Sequence, residues 1–389
     1  MTTHVLIVDK DTFKKHLEYM FVGTGTEKSF QFNNDKQTYS VNVHPSTEKN
    51  IAGLIADCNR MREGDNVIFY LQQSGDIGGF FGIFKVKKFP SGNFVSFTDY
   101  KSDTYPSLTK EIQYRALREP YKVYSEGVSE WEALDDIRGI PCPCQMLWSL
   151  IYRKLKGNRG NTMITLYEAD RLINLIVAKN KGKKLNSVVG GYSYDETSNK
   201  IVPHAPLVYD FSQCEQLDIS KRLIYKYRID QKHETHLQSF ITNNIGKGTC
   251  ASLDSAIMNN NDEVINWIGN EVSCGVGMQR MDIVFSTKSP EEELNNLYVI
   301  ELKCVPIEAA HIQQMNRYID WLTQYYIPNL PSKIIPVLIT RGTNGNGVSS
   351  QILSEKNNFD NQYIGHINYC PLKIINYRVI NNNLFFNVI

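Results

Sequence analysis

The sequence predicts a multidomain protein of mixed α/β and α+β class. A strand-rich front domain covers 1–140, a helical connector 141–206, and a back domain 207–389 whose elements run helix, strands, helix, strand. Three observations predict this. The chain has 389 residues, more than one ordinary core can organise. Before residue 140 the apolar and aromatic residues come in short runs, whereas from 141 to 180 they recur at helical steps. Beyond 207, Lys333–Thr340 (KIIPVLIT) is a near-continuous apolar run of the kind buried in the middle of a sheet.

In the front domain, His4–Asp9 is a short apolar run, and Phe13, Leu17 and Met20 give Asp11–Met20 helical spacing. Asn66–Leu71 (NVIFYL) and Gly79–Val86 (GFFGIFKV) read as strands either side of the turn-prone Ser74-Gly75-Asp76. Tyr121–Tyr124 and the Trp131 region complete the series of short strands. The connector carries two amphipathic helices, Gln145–Leu155 and Leu166–Ala178. Between them, Lys154, Lys156 and Arg159 sit in a basic, glycine-flanked loop suited to phosphate contact. Asn180–Pro206 is polar, with a Gly190-Gly191 pair, and reads as a linker.

In the back domain, His233–Asn244 is helical, Gln279–Ser286 and Leu297–Lys303 are strands, and Pro306–Tyr326 is a long helix. Lys373–Val379 and Leu384–Val388, with three asparagines between the two runs, read as a hairpin.

Composition narrows the function. Hydrophobic content of 42% and charged content of 21% describe a globular chain. A net charge of +1 excludes a uniformly basic nucleic-acid glove, so any phosphate binding must use local clusters. The eight cysteines form no CxxC pair and read as reduced thiols rather than a zinc site. No apolar run reaches membrane-spanning length and the N-terminus lacks a signal-peptide pattern, so the expectation is a cytoplasmic protein with no membrane partner.

The chemistry concentrates in Arg280-Met281-Asp282-Ile283-Val284-Phe285 and Tyr298-Val299-Ile300-Glu301-Leu302-Lys303. Glu301 and Lys303 are two apart on an apolar strand, so they share a face. Buried there, they cost several kcal/mol unless they pair or bind a metal. With the first strand alongside, Asp282 meets Glu301. Two carboxylates and a main-chain carbonyl, that of Leu302, make a hard oxygen site for Mg2+, with Mn2+ as a substitute. Lys303 then orients an attacking water.

These residues resemble the PD-(D/E)XK nucleases. Asp282 takes the place of the first acid, although Met281 rather than proline precedes it, and Glu301-Leu302-Lys303 supplies the E-x-K half. The resemblance implies a restriction-endonuclease-like core of helix, three-stranded meander, helix and strand (αβββαβ). Gln314-Met315-Asn316-Arg317-Tyr318 is similar to the Q-x-x-R-Y signature of NucS-type endonucleases. It implies Gln314 at the catalytic centre and Arg317 and Tyr318 on the nucleic-acid path, with Arg280 beside them. Glu234-x-x-Leu237 resembles that family's leading-helix pattern and implies Glu234 near the metal. His311, on the same helix as Gln314, reads as an ordinary solvated histidine.

At the other end, Gly64–Tyr70, Gly78–Val86 and Glu119–Val123 resemble EVE or PUA-like β-barrels. The resemblance implies a reader holding an unstacked base among aromatic faces, with Tyr70, Phe80 and Trp131 the leading pocket candidates and Phe69, Phe81 and Trp148 behind them. Aromatics on strands serve as core equally well. The combined expectation is a Mg2+-dependent DNA endonuclease of restriction, defence or repair type, its front domain selecting the target. It would need no small-molecule cofactor, and double-strand cleavage would favour a homodimer. Two alternatives stay open: a non-catalytic nucleic-acid binder on a nuclease-like scaffold, and an RNA-directed nuclease.

Overall fold

A computed structural model describes residues 1–25, 32–33, 38–39, 45–72, 78–87, 95–97, 112, 114–133, 160–207, 214–216, 218–260, 262–274, 279–288, 294–342, 348–366 and 368–389. The chain forms two compact units, one of Met1–Gln31 with Asp57–Leu217, the other of Phe32–Ala56 with Asp218–Ile389. The expected helix Gln145–Leu155, the basic loop with Lys154, Lys156 and Arg159, and Trp148 lie outside the described residues.

In the first unit the elements are β1 (Thr3–Val8), α1 (Lys10–Glu18), β2 (Phe21–Thr24), β5 (Asn66–Leu71), β6 (Gly79–Val86), β7 (Val95–Phe97), β8 (Tyr114–Pro120), β9 (Val128–Ser129), β10 (Asn161–Ile164), α3 (Leu166–Lys179), β11 (Gly191–Asp195), β12 (Lys200–His204) and β13 (Cys214–Gln216). Among the described residues, nine strands form one mixed sheet along β10-β1-β5-β6-β8-β7-β13, with β2 on β8 and β9 on β6. The registers of β5 and β6 shift by one residue, and Gly82 takes φ of 87° there, where a side chain would be strained.

Tyr70 is wholly buried and packs on Phe80 with ring centroids 5.1 Å apart. Both belong to a core cluster with Val5, Ile68 and Leu172. As base-pocket candidates they are therefore corrected to core: ring faces already covered by apolar neighbours have no room for a base. Tyr121–Tyr124 is no strand, because Pro120 ends β8, and Trp131 lies in residues 130–133, which are helical. Trp131 stays 50% exposed.

The expected linker is also corrected. Its residues 191–204 form the β11–β12 hairpin, in which Tyr192 and Tyr194 are buried. Tyr194 packs on Phe13 at 5.1 Å, and the hydroxyl of Ser193 donates to Glu18 at 2.8 Å. Alternating tyrosines supply the apolar face that the surrounding glycines and charges obscured.

In the second unit come β3 (Phe32–Asn33), β4 (Thr38–Tyr39) and α2 (Pro45–Asn59), within which the chain passes between units. Then follow α4 (Ser220–Arg228), α5 (Glu234–Asn244), α6 (Ala251–Ile257), β14 (Val264–Ser273), β15 (Arg280–Lys288), β16 (Asn295–Lys303), α7 (Ala309–Tyr325), β17 (Ser332–Arg341), α8 (Ser350–Gln362), β18 (Lys373–Ile380) and β19 (Asn383–Val388). The six strands β14 to β19 pair in chain order. β14, β15 and β16 are an antiparallel meander, β16, β17 and β18 run parallel, and β19 returns as a hairpin. That hairpin turns on Asn381 and Asn382, both at positive φ, the conformation asparagine tolerates best after glycine.

The core of this unit is apolar: Leu237 and Ile241 of α5 and Leu253 and Ile257 of α6 bury Ile283, Phe285, Tyr298, Ile300 and Ile339 of the sheet. A charged cluster is buried in the same unit. Glu48 of α2 accepts from Arg222 at 2.9 Å, Lys226 at 3.2 Å and His236 at 3.0 Å. Burial alone would raise the Glu48 carboxyl, but His236, Arg222 and Lys226 outweigh it and hold it far below the usual range. This is why residues 32–56 belong with the C-terminal unit, a pairing with no counterpart in linear spacing.

Candidate metal centre

β16 is buried along nearly its whole length, and its residues alternate between the two faces of the sheet. Tyr298, Ile300 and Leu302 join the core under α5 and α6. Glu301 and Lys303 take the other face, where α7 passes. Glu301 is 3% exposed, and its Oε1 accepts from Lys303 Nζ at 2.5 Å.

Asp282 arrives from β15. The β15–β16 ladder ends at Ile283 paired with Ile300, one residue short of an Asp282–Glu301 pair. On the other side, the β14 ladder pairs Asn270 with Ile283 and Val272 with Met281, passing over Glu271 and Asp282. Glu271 has φ of 51°, a left-handed conformation that costs a residue with a side chain about 1–2 kcal/mol. Asp282 thus sits past the end of the β16 ladder and at a position that the β14 ladder skips. Its Oδ2 accepts from the Leu302 amide at 2.8 Å, which ties it to the strand of Glu301 and Lys303. Its main-chain carbonyl accepts from Gln238 Nε2 of α5, also at 2.8 Å.

The electrostatics follow from two carboxylates in one dry place. Burial, then the Glu301 charge, push the Asp282 carboxyl well above its ordinary value. Burial likewise raises Glu301, against the pull of Lys303 and Tyr318. Burial would lower Lys303, but Glu301, Asp282 and Glu234 outweigh it and raise the ammonium. Lys303 is therefore a firm cation: it can orient and stabilise but does not take up a proton at neutral pH.

Tyr318, expected on the nucleic-acid path, is 1% exposed. A phenol so enclosed does not line an open path, and its hydroxyl turns inward to Glu301. Its hydroxyl lies 3.0 Å from the Arg280 carbonyl and 3.1 Å from Glu301 Oε2, and accepts from Gln314 Nε2 at 2.5 Å. Gln314 thereby reaches Glu301 through Tyr318. Arg317 is exposed on the same helix. Arg280 is half-buried and paired with Glu271 at 2.8 Å. His311 accepts the Glu308 amide at 3.1 Å and closes the start of α7. Burial pushes the Cys274 thiol up to about 12, with Glu301 adding to it.

Among the described residues, no three His, Cys, Asp or Glu side chains gather into a metal cage. Glu234, expected near the metal, lies close enough for its charge to raise both Glu301 and Lys303. The first residue of α5, it is engaged by Lys232 at 3.6 Å and by the Cys304 thiol at 3.7 Å, and does not form a three-ligand cage with Asp282 and Glu301. Two raised carboxylates are still a donor set that a hard cation fits. Magnesium takes one or two carboxylates and keeps its waters, and its charge would relieve the repulsion between Asp282 and Glu301. Leu302, expected to offer its carbonyl, meets Asp282 through its amide.

Sequence reasoning missed three features: β14 with its bend at Glu271, the amide of Gln238, and the charged cluster at Glu48. Only Gln238 carried a signal, lying four residues after Glu234 and so on the same helical face.

Comparison with solved structures finds weak likenesses. Human thymocyte nuclear protein 1 (THYN1), in complex with DNA containing 5-methylcytosine, is 11% identical and covers 45% of this chain and 97% of its own, with a TM-score of 0.25. The DUF55 domain of that human protein is 12% identical and covers 44% of this chain and 97% of its own, at 0.23. The MspJI restriction endonuclease, with a 27-mer oligonucleotide, is 12% identical and covers 90% of this chain and 69% of its own, at 0.18. No family model matches the sequence, and no curated protein matches it.

Proposed function

We propose that the unit carrying Asp282, Glu301 and Lys303 is a magnesium-dependent nuclease centre that hydrolyses phosphodiester bonds in DNA, and that the other unit selects the target. The observation that supports this best is the Leu302–Asp282 bond at 2.8 Å, which brings both carboxylates and Lys303 to one spot on two strands. Two acids raised by burial beside a charged lysine are poorly explained as a structural pair, since an apolar strand end would be more stable. A bound magnesium ion supplies Lewis-acid stabilisation of phosphate charge. Asp282 and Glu301 would hold it. Lys303 keeps its proton and orients a water by donating to it, while Tyr318 limits the rotation of Glu301. Arg317, exposed on α7, is free to meet backbone phosphate.

The selecting role of the first unit rests on the resemblance of Gly64–Tyr70, Gly78–Val86 and Glu119–Val123 to EVE and PUA-like barrels, with Trp131 the pocket candidate left exposed. The deciding experiment incubates the full chain with labelled single-stranded, flapped, mismatched, methylated and plain duplex DNA, with and without magnesium. Metal-dependent cleavage of any of these supports the reading. Binding without cleavage under every condition would replace it with a non-catalytic DNA-binding role.

A further inference from the structure

Gln238 stands on α5 one turn beyond Glu234 and is 2% exposed. Its Nε2 donates to the Asp282 carbonyl, at a residue beyond the end of the β16 ladder and skipped between two pairs of the β14 ladder. A carbonyl oxygen only accepts, so the amide has one orientation: Nε2 toward Asp282, Oε1 away from it. Oε1 is buried and meets no donor among the described residues. A buried amide oxygen is costly without a donor, and a magnesium ion that keeps its waters presents O–H donors outward.

We propose that Gln238 is a positioning residue of the metal centre. Nε2 fixes the main chain of Asp282 so that its carboxylate faces Glu301, and Oε1 accepts from a water in the cation's hydration shell. This rests on the magnesium reading of Asp282 and Glu301. A helix amide thus serves the Asp282 carbonyl at a position that both strand ladders skip, so its backbone oxygen is not left unpaired.

The test measures Mn2+ binding to the full chain by electron paramagnetic resonance, without DNA, alongside thermal unfolding. Q238M removes both polar atoms at nearly the same volume, and Q238N keeps the amide but cannot span the distance. Each should weaken Mn2+ binding on the order of tenfold or more, the usual cost of losing an outer-shell partner. A packing role alone would lower the unfolding temperature and leave the ion affinity of the folded protein unchanged. If a folded variant of either kind binds Mn2+ as the parent does while D282A does not, the role of Gln238 is refuted and the metal centre stands. If D282A also binds normally, both fall.

Discussion

Asp282 and Leu302 are joined by a single hydrogen bond of 2.8 Å, from the amide of one strand to the carboxylate of its neighbour, beyond the end of the ladder between them. The bond holds an acid against a strand end that carries another acid and a lysine. It fixes Oδ2 of Asp282, and Lys303 and Tyr318 both engage Glu301, so both carboxylates are held by the protein's own hydrogen bonds.

Replacing Asp282, Glu301 or Lys303 by alanine should each lower cleavage about a hundredfold or more, because each removes a ligand or the orienting cation. Circular dichroism should show the fold retained. Full activity in any one variant would remove that residue from the centre.

Asp282→Asn separates stability from function. A carboxyl whose folded pKa is raised contributes stability that is present below its unfolded pKa and is lost as pH rises through the folded value. The metal-free protein at pH 7 therefore carries a penalty at Asp282. Asparagine keeps an acceptor for the Leu302 amide and removes the charge. Without metal the variant should unfold a few degrees higher, at about 2–4 °C per kcal/mol for a unit of this size, with cleavage lost. The gain should shrink as pH falls and the parent carboxyls become protonated. A lower unfolding temperature at neutral pH would contradict the raised pKa.

Tyr318 and Arg317 are neighbours with opposite expected phenotypes. Tyr318→Phe removes the hydroxyl shared by Glu301, Arg280 and Gln314. It should slow cleavage while leaving DNA affinity intact, at a stability cost of about 1 kcal/mol. Arg317→Ala should weaken DNA binding and reduce the slope of log affinity against log salt by about 0.9, one phosphate contact. Replacing Lys154, Lys156 and Arg159 together should reduce that slope by up to about three such units. An unchanged slope would mean that the basic loop does not meet phosphate.

Glu48 holds two largely buried cations, Arg222 and Lys226, and a histidine that burial keeps neutral, so Glu48→Ala should destabilise the second unit by about 3–5 kcal/mol, through uncompensated charge at Lys226. Its folded pKa is depressed, so its contribution is present above the ordinary glutamate range and is lost as pH falls below it. A fragment starting at residue 207 should unfold more readily than the same segment carried with residues 32–56. Equal stability of the two would show that the cluster contributes nothing.

Periodicity alone determined most of the elements around the centre. Leu166–Ala178, His233–Asn244, the strands at Asp282 and Glu301, the helix carrying Gln314 and the strand Lys333–Thr340 are all found within a few residues of where apolar spacing places them. So is the final hairpin, because asparagine at positive φ is a local property. Spacing also puts Glu301 and Lys303 on one face, which makes that pair legible without a fold. What tertiary structure decided is everything that depends on a partner distant in sequence. Tyr70 and Tyr318 are aromatic side chains whose burial is set by the surfaces laid over them, so their sequence cannot tell a pocket or a phosphate path from a core. Asp282 gains its place from the Leu302 amide twenty residues away and from Gln238 on another helix. Glu48 finds Arg222, Lys226 and His236 more than 170 residues downstream. Hydrogen bonds and ion pairs of this range leave no periodic trace, because each is specified by a single residue on either side rather than by a repeating face.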